Sequence, residues 1–339
     1  MKTSPCIQLD GMTGGGQMLR TALSLAMITG QSFRMTRIRG QRSKPGLMRQ
    51  HLTCVKAACE ISAGSADGAE IGATELTFRP GPIQAGDYHF AIGTAGSTGL
   101  LFQTLLPALF HAAGPSTLRL EGGTHNPSAP PFEFLDQVFL PALQRMGATA
   151  TLNLGQSGFA PAGGGLITAT ISPCETFSPC DFRERGELQA VSIRVPIRNL
   201  NPSIGSRMLA AAAEKFPTAD AMVEPREPGP GRGVCCLIAA VFEHATELTS
   251  SFGEQGVTAE RVGQRAAKVM HDFIGTGAAV GRCLADQLLL PMALAKSGRF
   301  ITMTPDAHLP TNISVIERFL PVKFRVEPLS RGCYEIAVG

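Results

Sequence analysis

Short apolar strands alternate with amphipathic helices along almost the whole chain, and glycines mark the joints between them. Cys6 to Leu9 reads as a strand. Gly14-Gly15-Gly16 then turns the chain into a helix with Leu19, Leu23 and Ala26/Met27 on one face, ending at Gly30. Ser32 to Ile38 reads as a strand, and Arg49 to Ile61 as a helix striped by Leu52, Val55 and Cys59. Thr98 to Phe110 is apolar nearly all round, which predicts a buried helix that bends or ends near Pro107. The pattern continues with a strand at Leu118 to Glu121, a helix at Phe134 to Met146, and strands at Thr149 to Leu154 and Leu166 to Ile171. Such repetition predicts an α/β or α+β layered fold, with helices covering a sheet.

From about Arg183 to Gly275 the character changes. A strand (Ala190 to Ile197), a helix (Ser206 to Phe216), the Pro/Gly stretch Glu227 to Gly231, a strand (Val234 to Phe242) and a long helix capped by Thr258 follow one another. We read residues 184–275 as a smaller inserted βαβα domain, and 1–183 with 276–339 as a discontinuous larger one. The larger one resumes with a helix (Gly281 to Leu294), a strand (Phe300 to Thr304), a helix (Asn312 to Phe319) and two final strands.

Composition excludes several classes. Hydrophobic residues make up 44% and charged residues 17%, enough for a real core and unlike a disordered chain. No apolar run reaches membrane-spanning length, and MKTSPCIQLD is no apolar leader. Nine cysteines without a CxxC pair suit reduced thiols, so a cytoplasmic protein without a membrane partner is expected. Charge is distributed unevenly. Gly11 to Cys59 holds no Asp or Glu, yet carries Arg20, Arg34, Arg37, Arg39, Arg42, Lys44, Arg49 and Lys56, in a chain of net charge +3. A one-signed stretch serves as a solvated face or as a seat for a polyanion such as phosphate or nucleic acid, and here glycines and amides are interleaved where acidic partners would stand.

Three groups of residues have chemistry to offer. Gly11-Met12-Thr13-Gly14-Gly15-Gly16-Gln17 sits where a strand meets a helix, so its free N–H groups can face a phosphate; a tight packing turn is the plainer reading. The spacing is neither that of a dinucleotide fingerprint nor of a P-loop. His308 lies in the stiff loop Pro305-Asp306-Ala307-His308-Leu309-Pro310, at a strand's C-terminal edge where ligands collect, and a neutral imidazole is a nucleophile towards phosphorus. His51 in the basic helix competes for that role. Finally, Gln103 and the run Cys283-Leu284-Ala285-Asp286-Gln287 put polar groups in apolar helices, where they either bond to nearby backbone or face a pocket.

In series, the motifs resemble those of the RNA 3′-terminal phosphate cyclases over essentially the full length. They are Gly14 to Arg20, Arg42 to His51, Gly122 to Pro131 (GGTHNPSAPP), Gly158 to Gly165 (GFAPAGGG), Leu284 to Gln287, and His308 with Thr311-Asn312 and Glu317 to Leu320. The resemblance implies a large domain of three repeated βα units like the C-terminal domain of translation initiation factor three, with a smaller insertion. It implies ATP-dependent conversion of an RNA 3′-terminal phosphate into a 2′,3′-cyclic phosphate. By the same carry-over His308 is the nucleophile that takes up AMP, and Gln103, Cys283, Leu284, Ala285, Asp286 and Gln287 bind ATP. Arg20, Arg39, Arg42, Gln50 and His51 meet the phosphates of ATP or RNA, and a divalent metal (Mg or Mn) assists. Two departures stand out. Family members carry a Glu just before the triple glycine, whereas here the loop from Asp10 to Gly14 is two residues shorter and lacks it, which leaves the metal's placement open. Cys283 stands where an aromatic residue is common. Two other classes of reading follow: a cyclase-like RNA-binding protein without the reaction, and an enolpyruvyl-transferase-like enzyme on a related architecture.

Overall fold

The structure, a computed structural model, describes residues 6–339; residues 1–5, the head of the stretch read above as no leader, lie outside it. Four mixed four-stranded sheets are covered by helices, and the first two repeat one pattern. In the first, β1 (Ile7–Asp10), α1 (Gly15–Thr29), β2 (Phe33–Thr36), α2 (Arg49–Ile61), β3 (Ser65–Asp67) and β4 (Leu76–Arg79) form a sheet in the order β1-β2-β4-β3. In the second, β5 (Asp87–Ala91), α3 (Thr98–Leu109), β6 (Ser116–Gly122), α4 (Phe132–Phe134), a π-helical turn (Leu135–Phe139), α5 (Leu140–Arg145), β7 (Ala150–Gln156) and β8 (Gly165–Ile171) give β5-β6-β8-β7. In each, the first two strands run parallel and the remaining pairings are antiparallel.

The third unit has the same order but is interrupted. After β9 (Cys180–Phe182) come β10 (Leu188–Arg198), α6 (Pro202–Ala213), β11 (Asp220–Pro225), β12 (Gly233–Phe242), β13 (Thr246–Phe252) and α7 (Ala259–Thr276), with sheet order β11-β10-β12-β13. Only then follow α8 (Arg282–Ala295), β14 (Gly298–Met303), α9 (His308–Phe319), β15 (Phe324–Pro328) and β16 (Cys333–Val338). Strand β14 pairs parallel to β9, and β16 lies antiparallel between β14 and β15. The interrupting segment is therefore βαβββα, not βαβα: β11 and β13 escape a reading that looks for apolar runs.

Strand β12 is buried on both faces, which explains its unbroken apolar sequence. Cys236, Ile238 and Ala240 join a cluster with Val262, Ala266 and Phe273 of α7, while Cys235, Leu237 and Ala239 face the core shared with the other three sheets. The adjacent cysteines thus point apart, and all nine are free thiols. Thr258 caps α7 as expected, its hydroxyl accepting the Arg261 N–H at 3.3 Å. No helix of the described residues is long and apolar enough to cross a membrane.

Helix α9 starts four residues earlier than expected, so His308 is its first helical residue and not a loop residue. Pro310 is no obstacle there, because N–H groups in a first turn have no partner within the helix to lose. The Asp306 carboxylate accepts the His308 N–H at 2.8 Å and fixes the start.

Candidate active site

Helices α1, α3 and α8 open their corresponding units, and equivalent positions of all three line one cavity of about 480 Å³. The sixth residues are Arg20, Gln103 and Gln287; the tenth are Ser24, Pro107 and Pro291. His308, Asn312, Asp306, Cys283 and Asp286 complete the polar wall, and Pro127 to Pro131 form a rim.

A chain of hydrogen bonds orients His308. Its Nδ1 stands 2.7 Å from Oε1 of Gln17, whose Nε2 donates to Asp286 Oδ2. Asn312 Nδ2 donates to Asp286 Oδ1 at 3.1 Å, and Thr21 donates to Asn312 Oδ1 at 2.7 Å. With its amide nitrogen committed to a carboxylate, Gln17 offers His308 an acceptor, so the ring proton sits on Nδ1 and the Nε2 lone pair is free. Burial pushes the Asp286 carboxyl up, and the Asn312 and Gln17 bonds pull the other way. Gln17 is only 8% exposed. Among the residues expected at the site neither Gln17, Thr21 nor Asn312 was included; Gln17 and Asn312 lie in matched motifs, and no feature of their types told them apart from packing residues.

A second group surrounds the glycine turn. A Cβ at Gly16 would strike the His51 ring, with Arg20 Nη1 at 3.1 Å; one at Gly15, where φ is +57°, would lie 3.2 Å from Arg42 Nη2. The Arg20 guanidinium has no hydrogen-bond or ion-pair partner among the described residues, and its burial lowers its pKa. His51 Nδ1 accepts the Met48 N–H at 3.2 Å, which leaves its proton on Nε2, towards the turn. Burial, with Arg20 and Arg39 nearby, brings the His51 pKa down to about 3, so the ring is a neutral donor. Neither α1 nor α9 has an acid in its first turn. The turn thus offers free N–H groups and unpaired positive charge to an anion.

Other expected residues take different places. Leu284 and Ala285 are buried and do not line the main cavity. Gln50 Oε1 accepts the Ser97 N–H at 2.7 Å, and Arg39 Nη1 donates to the Lys44 and Gly46 carbonyls, both at 2.8 Å; each thereby ties a loop as well as bordering the basic group. Gln103 and Gln287 do face the cavity, with Gln103 Nε2 and Gln287 Oε1 buried and unpartnered. Cys283 is exposed along the same wall.

The motif from Gly122 to Pro131 holds the rim. His125 Nε2 lies 3.0 Å from Glu133 Oε2, and Thr124 Oγ1 lies 2.7 Å from His125 Nδ1. Arg226, from the chain just after β11, donates to Glu133 Oε1 at 2.7 Å. Burial pushes Glu133 up, but His125 and Arg226 outweigh it and hold the carboxyl below its ordinary range.

A family model described as RNA 3′-terminal phosphate cyclase matches residues 11–326. This chain belongs to that family. Proteins named RNA 3′-terminal phosphate cyclase from Ralstonia nicotianae and Pseudomonas fluorescens are 50% and 46% identical to it. The alignments cover 96% and 97% of this chain and 95% and 97% of theirs. Among solved structures, an EPSP synthase from Acinetobacter baumannii matches over 98% of this chain and 64% of its own, at 12% identity and a TM-score of 0.30, which carries no argument about the fold. The divalent metal that the resemblance implies finds no ready seat here. Among the described residues no three His, Cys, Asp or Glu side chains come together for an ion. Asp10 is turned to Arg37, whose Nε lies 3.0 Å from Oδ1, and does not line the cavity.

Proposed function

We propose that this protein uses ATP to convert an RNA 3′-terminal phosphate into a 2′,3′-cyclic phosphate through a covalent histidine–AMP intermediate. The observation that carries the reading is His308 locked by Gln17, with Nε2 free in a cavity that also holds unpaired Arg20. In this scheme Nε2 attacks the α-phosphorus of ATP, the bond to the bridging oxygen breaks, and diphosphate leaves. An oxygen of the RNA 3′-phosphate then takes the AMP and releases the imidazole. The neighbouring 2′-hydroxyl attacks the terminal phosphorus, loses its proton and expels AMP. Covalent catalysis divides one hard step into easier ones, and the ribose itself holds the last nucleophile in place. Arg20, Arg42 and Arg39 supply the charge that gathers around phosphate.

The unpartnered Gln103 Nε2 and Gln287 Oε1 suit a nucleobase edge, and the choice of ATP rests on the family resemblance. One donor and one acceptor match an adenine edge, which presents the N6 amino group beside a ring nitrogen. RNA as partner rests on the relatives' names and on the acid-free basic stretch. We read residues 184–275 as a domain inserted into the third of three βα units that resemble the C-terminal domain of translation initiation factor three. The interruption between β9 and α8 and the separate apolar cluster support that division. A cytoplasmic location accords with nine free thiols.

A second reading, a cyclase-like RNA-binding protein without the reaction, is favoured by Asp10 being held outward where the family's loop carries Glu. Incubation with α-labelled ATP and Mg²⁺, Mn²⁺ or Co²⁺, without RNA, separates the two. The expected result is acid-labile, alkali-stable protein-bound AMP that His308→Ala abolishes. Absence of label with every metal would overturn the enzyme reading and leave the RNA-binding one.

A further inference from the structure

Helix α8 carries Cys283, Asp286 and Gln287 to the cavity, yet it begins without a cap of its own. Its N-cap residue is Gly281, which has no side chain to accept the free N–H groups of the first turn. The acceptor for the Gly281 N–H itself comes from another element. Glu247, in the edge strand β13, accepts the Gly281 N–H through Oε2 at 2.9 Å. A Cβ at position 281 would run into that carboxyl group where it now sits.

Glu247 is 5% exposed and lines the nucleotide cavity. Among the described residues it forms no ion pair, and its charge helps push up the Cys283 thiol on α8. Burial accordingly pushes its carboxyl up to about 7, with the Gly281 and Leu248 N–H groups pulling it down. A buried carboxyl without a counter-charge is a poor choice for packing alone. Its position is informative: it joins the segment between β9 and α8 to the helix that presents the polar wall.

We propose that Glu247 is a positioning residue: it caps α8 from the interrupting segment, sets the seating of Cys283, Asp286 and Gln287, and so couples nucleotide affinity to how that segment is docked. The inference rests on the ATP reading above. Fraying of the first turn displaces Cys283 first and then Asp286, which anchors Gln17. Glu247→Ala removes the acceptor, whereas Glu247→Gln keeps a carbonyl oxygen for the Gly281 N–H.

The test follows hydrogen exchange at the amides of residues 281–285 together with ATP-dependent labelling of His308. Glu247→Ala is expected to speed exchange there and to raise the KM for ATP roughly threefold to thirtyfold, the range a lost N-cap gives, while labelling at saturating ATP changes less. Glu247→Gln is expected to recover most of both losses. Gly281→Ala, which displaces the carboxyl without removing it, is expected to reproduce the Glu247→Ala phenotype and serves if that variant does not fold. Equal behaviour of the Ala and Gln variants, or unchanged exchange at 281–285, would overturn the proposal. A wild-type protein without AMP label would instead remove the ATP reading, and the exchange measurement would still decide whether Glu247 caps α8.

Discussion

Two junctions in this molecule are built alike and end up chemically opposite. At each, the second helix of one unit meets the first helix of another, α9 against α1 and α2 against α3. At the α2–α3 junction Gln50 reaches across and its Oε1 takes the Ser97 N–H. At the α9–α1 junction His308 reaches across to Gln17 and spends only one of its two ring nitrogens on the contact. The first junction closes on a backbone donor. The second leaves a lone pair facing the cavity, with the Asp286–Asn312–Thr21 chain behind it. What separates the two corners is therefore which atoms remain unpaired once the helices have packed.

The comparison can be broken at either junction. The largest effect is expected at Gln17: replacement by Ala frees His308 to rotate and change tautomer, and should slow formation of protein-bound AMP about a hundredfold in single-turnover experiments. Unchanged thermal stability alongside that loss would show orientation at work; an unchanged rate would show that the His308–Gln17 contact is no more than another corner. A smaller effect involves His51, at the edge of both junctions. Its folded pKa, about 3, lies below the ordinary 6.5, so its contribution is fully present above pH 6.5 and is lost as pH falls towards 3. Unfolding in urea should show about 2 kcal/mol less stability at pH 5 than at pH 7.5 from this group, and His51→Gln should flatten that dependence. The smallest effect is expected at Gln50. Gln50→Ala leaves the Ser97 N–H without its partner and should cost about 1–2 kcal/mol in urea unfolding, with little change in the KM for ATP. A large KM change instead would place Gln50 at the phosphates and erase the contrast between the junctions.

The sequence reveals the interior of this fold better than its margins. Strands with apolar cores, such as β6, β8 and β12, are legible because burial demands Leu, Ile and Val. Of the strands that are not, β3, β5, β9, β11 and β13 lie at sheet edges, where one row of backbone groups has no strand partner and polar residues such as Ser65, Asp87 or Thr246 are accommodated. Only β4, between β2 and β3, is an interior strand that the pattern hides. The α9 start was hidden by Pro310, which reads as a breaker unless the first-turn exemption is applied. At the site, His308, Gln103, Asp286 and Gln287 are legible as polar residues in awkward places. Gln17 is not, since its meaning depends on Asp286 and His308, 269 and 291 positions away. No local pattern carries information across that distance. Leu284 and Ala285 show the converse: they belong to a matched motif, yet their side chains serve the core.

That separation has a consequence for synthesis. Residues 1 to about 300 contain Gln17, Arg20, the basic loop and both glutamines, but a ribosome that has made only these has not yet made His308, the nucleophile of the proposed reaction. Domains generally fold as they emerge, N-terminal first, so α1 packs against α3 long before α9 exists, and β9 waits for β14 to pair with it across the whole intervening segment. On the proposed reading, a nascent or prematurely terminated chain carries the basic glycine turn without the group that would react there. Under the reaction proposed above, chemical competence arrives only when α9 docks, which would make the reaction itself a report that translation has passed His308.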